Sequence, residues 1–120
     1  MKLMNDFYAI TAQHNNIYQV SFNENHYIYR AHFPGNPITP GACIIQMSKE
    51  LMEHKTATKL SIGKIMNVKF LSVIQPEKNR EVAFTFSKIE IAGDSCRFSV
   101  NVHHNDLQFA KLSLEAKIIP

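Results

Sequence analysis

One stretch of this chain has a helical period, and it is too apolar to lie on a surface. From Pro40 to about Lys55, the side chains of Cys43, Ile44, Ile45, Met47, Leu51 and Met52 cover more than half of a helix circumference. A helix of that kind must be enclosed, so the rest of the chain has to wrap it. Thr39 is a candidate N-cap, with Pro40 at the first helical position, where its missing N–H costs nothing. His54 and Lys55 suit the negative end.

Elsewhere the apolar residues follow period two. Tyr18, Val20 and Phe22 alternate with Gln19 and Ser21, and Met66, Val68 and Phe70 alternate with Asn67 and Lys69; both read as half-buried strands. Val82, Phe84 and Phe86 begin a third strand, Cys96, Phe98, Val100 and Val102 make a fourth, and Leu112, Leu114, Ala116 and Ile118 finish a fifth. The joins Ala92-Gly93-Asp94 and Asn105-Asp106 carry turn residues, so the last three strands read as an antiparallel meander. The apolar phase slips by one residue from Phe86 to Ile89 and from Phe109 to Leu112, where strict alternation would bury Lys88 and Lys111. Such slips mark bulges, and a bulged sheet curls. The expected fold is α+β, one curved antiparallel sheet wrapped around one long central helix, in a single domain over residues 1–120.

Composition narrows the class. With 45% hydrophobic and 19% charged residues, the 120-residue chain is too apolar for disorder and long enough for a real core. Cys43 and Cys96 are far apart without ligand spacing, so neither a disulfide framework nor a metal site is indicated and a reducing, cytoplasmic setting is expected. No run of 18 apolar residues occurs and the first twelve residues fail as a secretory signal, so no membrane role is expected. The net charge of +3 is unevenly spread. Between Glu53 and Glu77 the only charged residues are Lys55, Lys59, Lys64 and Lys69, which reads either as a docking surface for an acidic partner or as a solvated face. Nucleic acid is disfavoured, because the aromatic residues alternate as core strands do and do not interleave with these lysines.

The loop before the helix, Ala31-His32-Phe33-Pro34-Gly35-Asn36-Pro37-Ile38-Thr39-Pro40-Gly41, carries the chemistry. Pro34, Pro37 and Pro40 each fix φ and restrict the residue before, so the loop is stiff. Because Pro40 has no N–H, the first free amides at the helix start belong to Gly41 and Ala42, and Gly41 has no side chain to block an approaching oxyanion. His32 stands at the other end, where an imidazole can take or give a proton near neutrality. Cys43 reads as a small core cysteine ahead of a thiol nucleophile. His103 and His104 would point to opposite strand faces and cannot share a metal, and His14 and His26 show no partners in the sequence.

The run His32-Phe33-Pro34-Gly35-Asn36-Pro37-Ile38-Thr39-Pro40-Gly41, leading into Ala42-Cys43-Ile44-Ile45-Gln46, resembles the signature of the hot-dog-fold 3-hydroxyacyl-[acyl-carrier-protein] dehydratases of fatty acid synthesis. The resemblance covers the chain from about Phe7. It implies subunits joined edge to edge, with active sites at the seam and an acyl tunnel beside the central helix. His32 would be the base that takes the α-proton, and the Gly41 amide would polarise the thioester carbonyl, with Ala42, Phe33 and Pro40 lining the substrate. The family's acid, supplied by the neighbouring subunit's helix, corresponds here to Gln46, which cannot donate a proton as a carboxylic acid does. Glu50, one helical turn on, is a substitute to be weighed. The implied partner is an acyl carrier protein bearing a 3-hydroxyacyl thioester, docked on Lys55, Lys59, Lys64 and Lys69, with no cofactor. The assembly would be a homodimer or higher homo-oligomer, or a heterodimer in which a paralogue supplies the acid. A non-catalytic acyl-binding subunit and a hot-dog thioesterase remain as alternative readings.

Overall fold

In the computed structural model, which describes residues 1–120, the elements run β1 (Tyr8–His14), β2 (Ile17–Phe22), α1 (Tyr27–Ala31), α2 (Gly41–Thr56), β3 (Lys59–Phe70), β4 (Glu81–Ala92), β5 (Ser95–His104) and β6 (Leu107–Ile119). All six strands form one sheet in the order β1-β2-β4-β5-β6-β3, with every neighbouring pair antiparallel. Cys43, Ile44, Met47, Leu51 and Met52 of α2 are buried in one cluster with Val82, Phe84 and Phe86 of β4, Phe98 and Val100 of β5, and Leu112 and Leu114 of β6. This is the expected α+β arrangement, a long helix laid into a curved sheet. No helix is long and apolar enough to cross a membrane.

The two ends of α2 differ from each other. Its C-terminus closes on Ala57 in the left-handed region (φ 53°), whose N–H returns to the Glu53 carbonyl. At its start the expectation for Thr39 and Pro40 is corrected: Pro40 is the N-cap residue, no side chain caps the helix, and α2 begins at Gly41. The Pro40 carbonyl accepts from the Cys43 and Ile44 amides at 3.0 and 3.2 Å. Thr39 lies outside, its N–H on the Ile74 carbonyl and its hydroxyl 2.8 Å from the Tyr29 hydroxyl. A residue before proline is pushed to extended backbone, which places Thr39 a residue too early to reach the helix amides.

The meander β4-β5-β6 turns through two-residue loops whose first residues, Gly93 (φ 61°) and Asn105 (φ 51°), take the positive φ that fits the strand twist. Both expected bulges are present. Pairing of β4 with β5 shifts between Ser87 and Glu90, with Lys88 at φ 51°, and pairing of β5 with β6 shifts where Phe109 is extra. Lys88 and Lys111 are accordingly exposed.

Edge strand β3 departs from simple alternation. It has two bulges of its own, skipping Gly63 and Met66, so Met66 leaves the inner phase that its sequence context predicts. Directly opposed residues share a face. Leu60, Ile62, Ile65, Val68 and Phe70 pair with inward-facing β6 residues, whereas Lys59, Lys64 and Lys69 pair with outward-facing Ile119, Glu115 and Lys111. Only Leu60 of the inner row is fully buried; Ile62 and Val68 pack partly against the core, while Ile65 is 50% and Phe70 53% exposed.

A candidate active site at the His32 loop and the start of the central helix

His32 is the C-cap of the five-residue helix α1; its N–H donates to the Ile28 carbonyl at 3.0 Å, and its own carbonyl accepts the Ile38 N–H at 2.8 Å. Between these points Phe33 and Asn36 exchange hydrogen bonds of 3.0 and 2.9 Å around Pro34 and Gly35, with Gly35 at φ 74°. That is a type II turn geometry, which calls for positive φ at its second central residue, here Gly35, and suits proline at the first. The loop is thus closed upon itself, and the His32 side chain is left at the surface. Its ring packs edge-on against Phe33, centroids 5.5 Å apart at 70°, and neither ring nitrogen is engaged within the chain.

At the loop's other end, the Gly41 and Ala42 amides have no intrahelical acceptor and no capping side chain, so two donors and the positive end of the helix dipole face outward. The sequence did not flag Phe70, which closes over this point. A Cβ on Gly41 would lie 2.6 Å from the Phe70 ring, so only glycine lets that half-exposed ring rest against the helix start. Pro40 and Phe33 flank the same loop, Phe33 53% exposed. The signal for Phe70 was the glycine itself, whose neighbour 29 positions on is invisible in one dimension.

Gln46 does not reach His32 within one chain. Its side-chain amide donates to the Met1 carbonyl and, at 2.8 Å, to Glu50 Oε2. Glu50 is 5% exposed and accepts also from the Leu3 amide (2.8 Å), the Met4 amide (2.8 Å) and the Tyr8 hydroxyl (3.1 Å). The idea of Glu50 as a substitute acid is thereby corrected: four donors fix its carboxylate as the anchor of the N-terminal segment. Burial, then the Glu50 charge, push the Tyr8 phenol far up. A cavity of about 390 Å³ opens beside this anchor, lined by Met1, Met4, Gln46, Lys49, Glu50 and His54, and not by the His32 loop.

The remaining residues sort readily. Cys43 is buried and burial pushes its thiol up, away from the nucleophilic thiolate. His26 has partners after all, Asp6 and the Ile28 amide; His103 meets Thr85, and His14 and His104 are exposed. Of the four lysines, Lys59, Lys64 and Lys69 form one outward row, whereas Lys55 turns to the Asn15 carbonyl at 3.4 Å.

Comparison with known proteins agrees with this architecture. The ApeI-like family model, that of the ApeI dehydratase, matches residues 9–112. A 3-hydroxyacyl-[acyl-carrier-protein] dehydratase from Latilactobacillus sakei is 30% identical over 59% of this chain and 54% of its own length. The chain therefore spans about half the length of the curated relative it matches. Among solved structures, the dehydratase heterocomplex ApeI:P from Xenorhabdus doucetiae superposes with a TM-score of 0.62 at 19% identity, covering 92% of this chain and 93% of that one. A thioesterase from Haemophilus influenzae gives a TM-score of 0.67 at 10% identity, over 93% of this chain and 78% of the other. At those identities the structures speak for the hot-dog fold alone, and the family model carries the assignment: the chain belongs to the ApeI-like dehydratase family.

Proposed function

We propose that this chain is the base-bearing subunit of a dehydratase that converts a (3R)-hydroxyacyl thioester, carried on an acyl carrier protein, to the trans-2-enoyl thioester. The observation that carries the reading is the pairing, across one stiff loop, of a surface imidazole with two unengaged amides at a helix start. His32 takes the α-proton as the Gly41 and Ala42 amides receive the charge that develops on the thioester oxygen. The β-hydroxyl then departs as water once it gains a proton.

That proton needs a donor, and Gln46 is a poor one. Its amide cannot supply a proton, and it is already committed to Met1 and Glu50. This favours a second subunit that brings the acid, in keeping with the similarity to ApeI:P, which is itself a dehydratase heterocomplex. The free edge of β3, with Ile65 and Phe70 uncovered on its inner side, is suited to pair with that subunit. The outward lysine row continues along the same strand and suits an acidic carrier.

Purified protein is to be incubated with hydroxyacyl and enoyl thioesters, alone and mixed with a paralogous acid-bearing dehydratase subunit. Interconversion is expected in the mixture, lost in His32→Ala, and faster with a carrier-bound thioester than with a coenzyme A thioester at low salt. Inert protein under both conditions removes the enzymatic reading, and release of free thiol replaces it with hydrolysis.

A further inference from the structure

His32 is the C-cap of α1, and the helix itself is held in a way that the reaction chemistry does not require. At its start the His26 side chain caps it, Nδ1 accepting from the Ile28 amide at 3.1 Å while Nε2 lies 3.2 Å from Asp6 Oδ2. In its middle Tyr29, 2% exposed, stacks on Phe7 with centroids 5.0 Å apart and meets the Thr39 hydroxyl, one residue before Pro40. At its end the His32 amide returns to Ile28. Five residues cannot hold a helix by themselves. The helix is a spacer, fastened at both ends, that sets the distance between the imidazole and the Gly41 amide.

The fastening at His26 depends on its proton count. A ring nitrogen that accepts from the Ile28 N–H carries no hydrogen, so the neutral ring bears its proton on Nε2 and donates it to Asp6. A second proton can go only to Nδ1, where it confronts the Ile28 N–H and ends the cap. The same proton turns the Asp6 contact into an ion pair. The groups around the ring are few: Asp6 from the N-terminal turn, its side chain 70% exposed, the Phe7 ring edge-on at 5.2 Å, and the Tyr27 ring of α1 stacked at 4.5 Å. Glu24, in the preceding turn, is exposed. His26 itself is 5% exposed, which leaves the ring little freedom to swing to another acceptor.

We propose that His26 is a positioning residue for His32: its neutral imidazole caps α1, and uptake of a proton at Nδ1 releases the helix that ends in the base. This rests on reading His32 as that base, and the test separates the two. Nuclear magnetic resonance on the whole chain from pH 8 to pH 5 is to follow exchange of the Ile28 amide, corrected for its intrinsic pH dependence, together with the His32 ring signals. On acidification the Ile28 amide is expected to lose about fivefold in protection, the effect of losing a typical N-cap. The His32 signals should show a second inflection at the same pH. His26→Asn, a cap that does not titrate, keeps Ile28 protected throughout and leaves His32 a single inflection.

Protection of Ile28 that ignores pH, or a His32 titration unaltered by His26→Asn, overturns the proposal. Turnover is a separate readout in the mixture with the acid-bearing subunit. The acid limb of kcat should fall with two protons in the wild type and with one in His26→Asn, at similar KM, while His32→Ala is silent at every pH. Equal limbs also overturn the positioning role. Absence of dehydration in the wild type, with the Ile28–His32 coupling intact, instead removes the dehydratase reading and leaves the coupling standing.

Discussion

At the scale of single residues, Gln46 shows how one substitution spreads. Gln46 is a neutral donor to a carboxylate that is buried and already surrounded, so a glutamate there would set two carboxylates within hydrogen-bond distance. Gln46→Glu is therefore expected to lower stability at pH 7 by about 1–3 kcal/mol, the usual consequence of losing a buried partner. Such a pair holds one proton above the ordinary carboxylate range. A group raised in the folded state stabilises below its unfolded pKa, so the deficit should shrink toward about pH 4. Urea melts of both proteins at pH 4 and pH 7 check this, and a gap that does not change with pH defeats it. Restoring the acid by this change alone should accordingly not restore catalysis. The sequence showed Gln46 and Glu50 as one helical turn apart, but not the Met1, Leu3, Met4 and Tyr8 atoms that occupy them, because those contacts span more than 40 positions.

At the scale of elements, legibility follows how each one is stabilised. Helix α2 and the meander were readable because their large apolar side chains are buried periodically: Val82, Phe84 and Phe86, every second residue from Cys96 to Val102, and a broad stripe on the helix. Strand β1 buries only Tyr8 and so leaves no alternation to read. Helix α1 is five residues held by an unusual histidine cap and by a stacked tyrosine, all tertiary devices. In β3 the alternation was visible but misleading, since two extra residues reset the phase and left half of the inner row bare. An edge strand with a bare inner row is a surface to be covered. Ile65→Lys is expected to weaken self-association or pairing with a second subunit at least tenfold while leaving the fold intact, as half-exposed positions tolerate polar residues. Sedimentation and circular dichroism test the two halves of that statement, and an unchanged sedimentation profile speaks against β3 as the seam.

At the scale of the whole molecule, the five buried phenols and thiols lean the same way. Burial raises Tyr8, Tyr18, Tyr29, Cys43 and Cys96, so the folded chain holds these protons more tightly than the unfolded one. Stability from such groups is complete below the unfolded values and is lost as pH rises past them. The decline should begin near about pH 8.5, where free thiols ionise, and steepen above about pH 10, where phenols follow. Denaturant midpoints from pH 7 to pH 11 measure it; a flat profile contradicts the burial of these groups. Beyond stability, the skipped residues Gly63 and Met66 give β3 a tolerance that no other strand here has been seen to possess twice over. They are slots at which the chain can lose one amino acid without turning the strand inside out. Shortening β3 at either slot preserves which side the lysines take, whereas shortening it midway between them exchanges lysine for isoleucine along the seam, so length variation among natural relatives should gather at these two places.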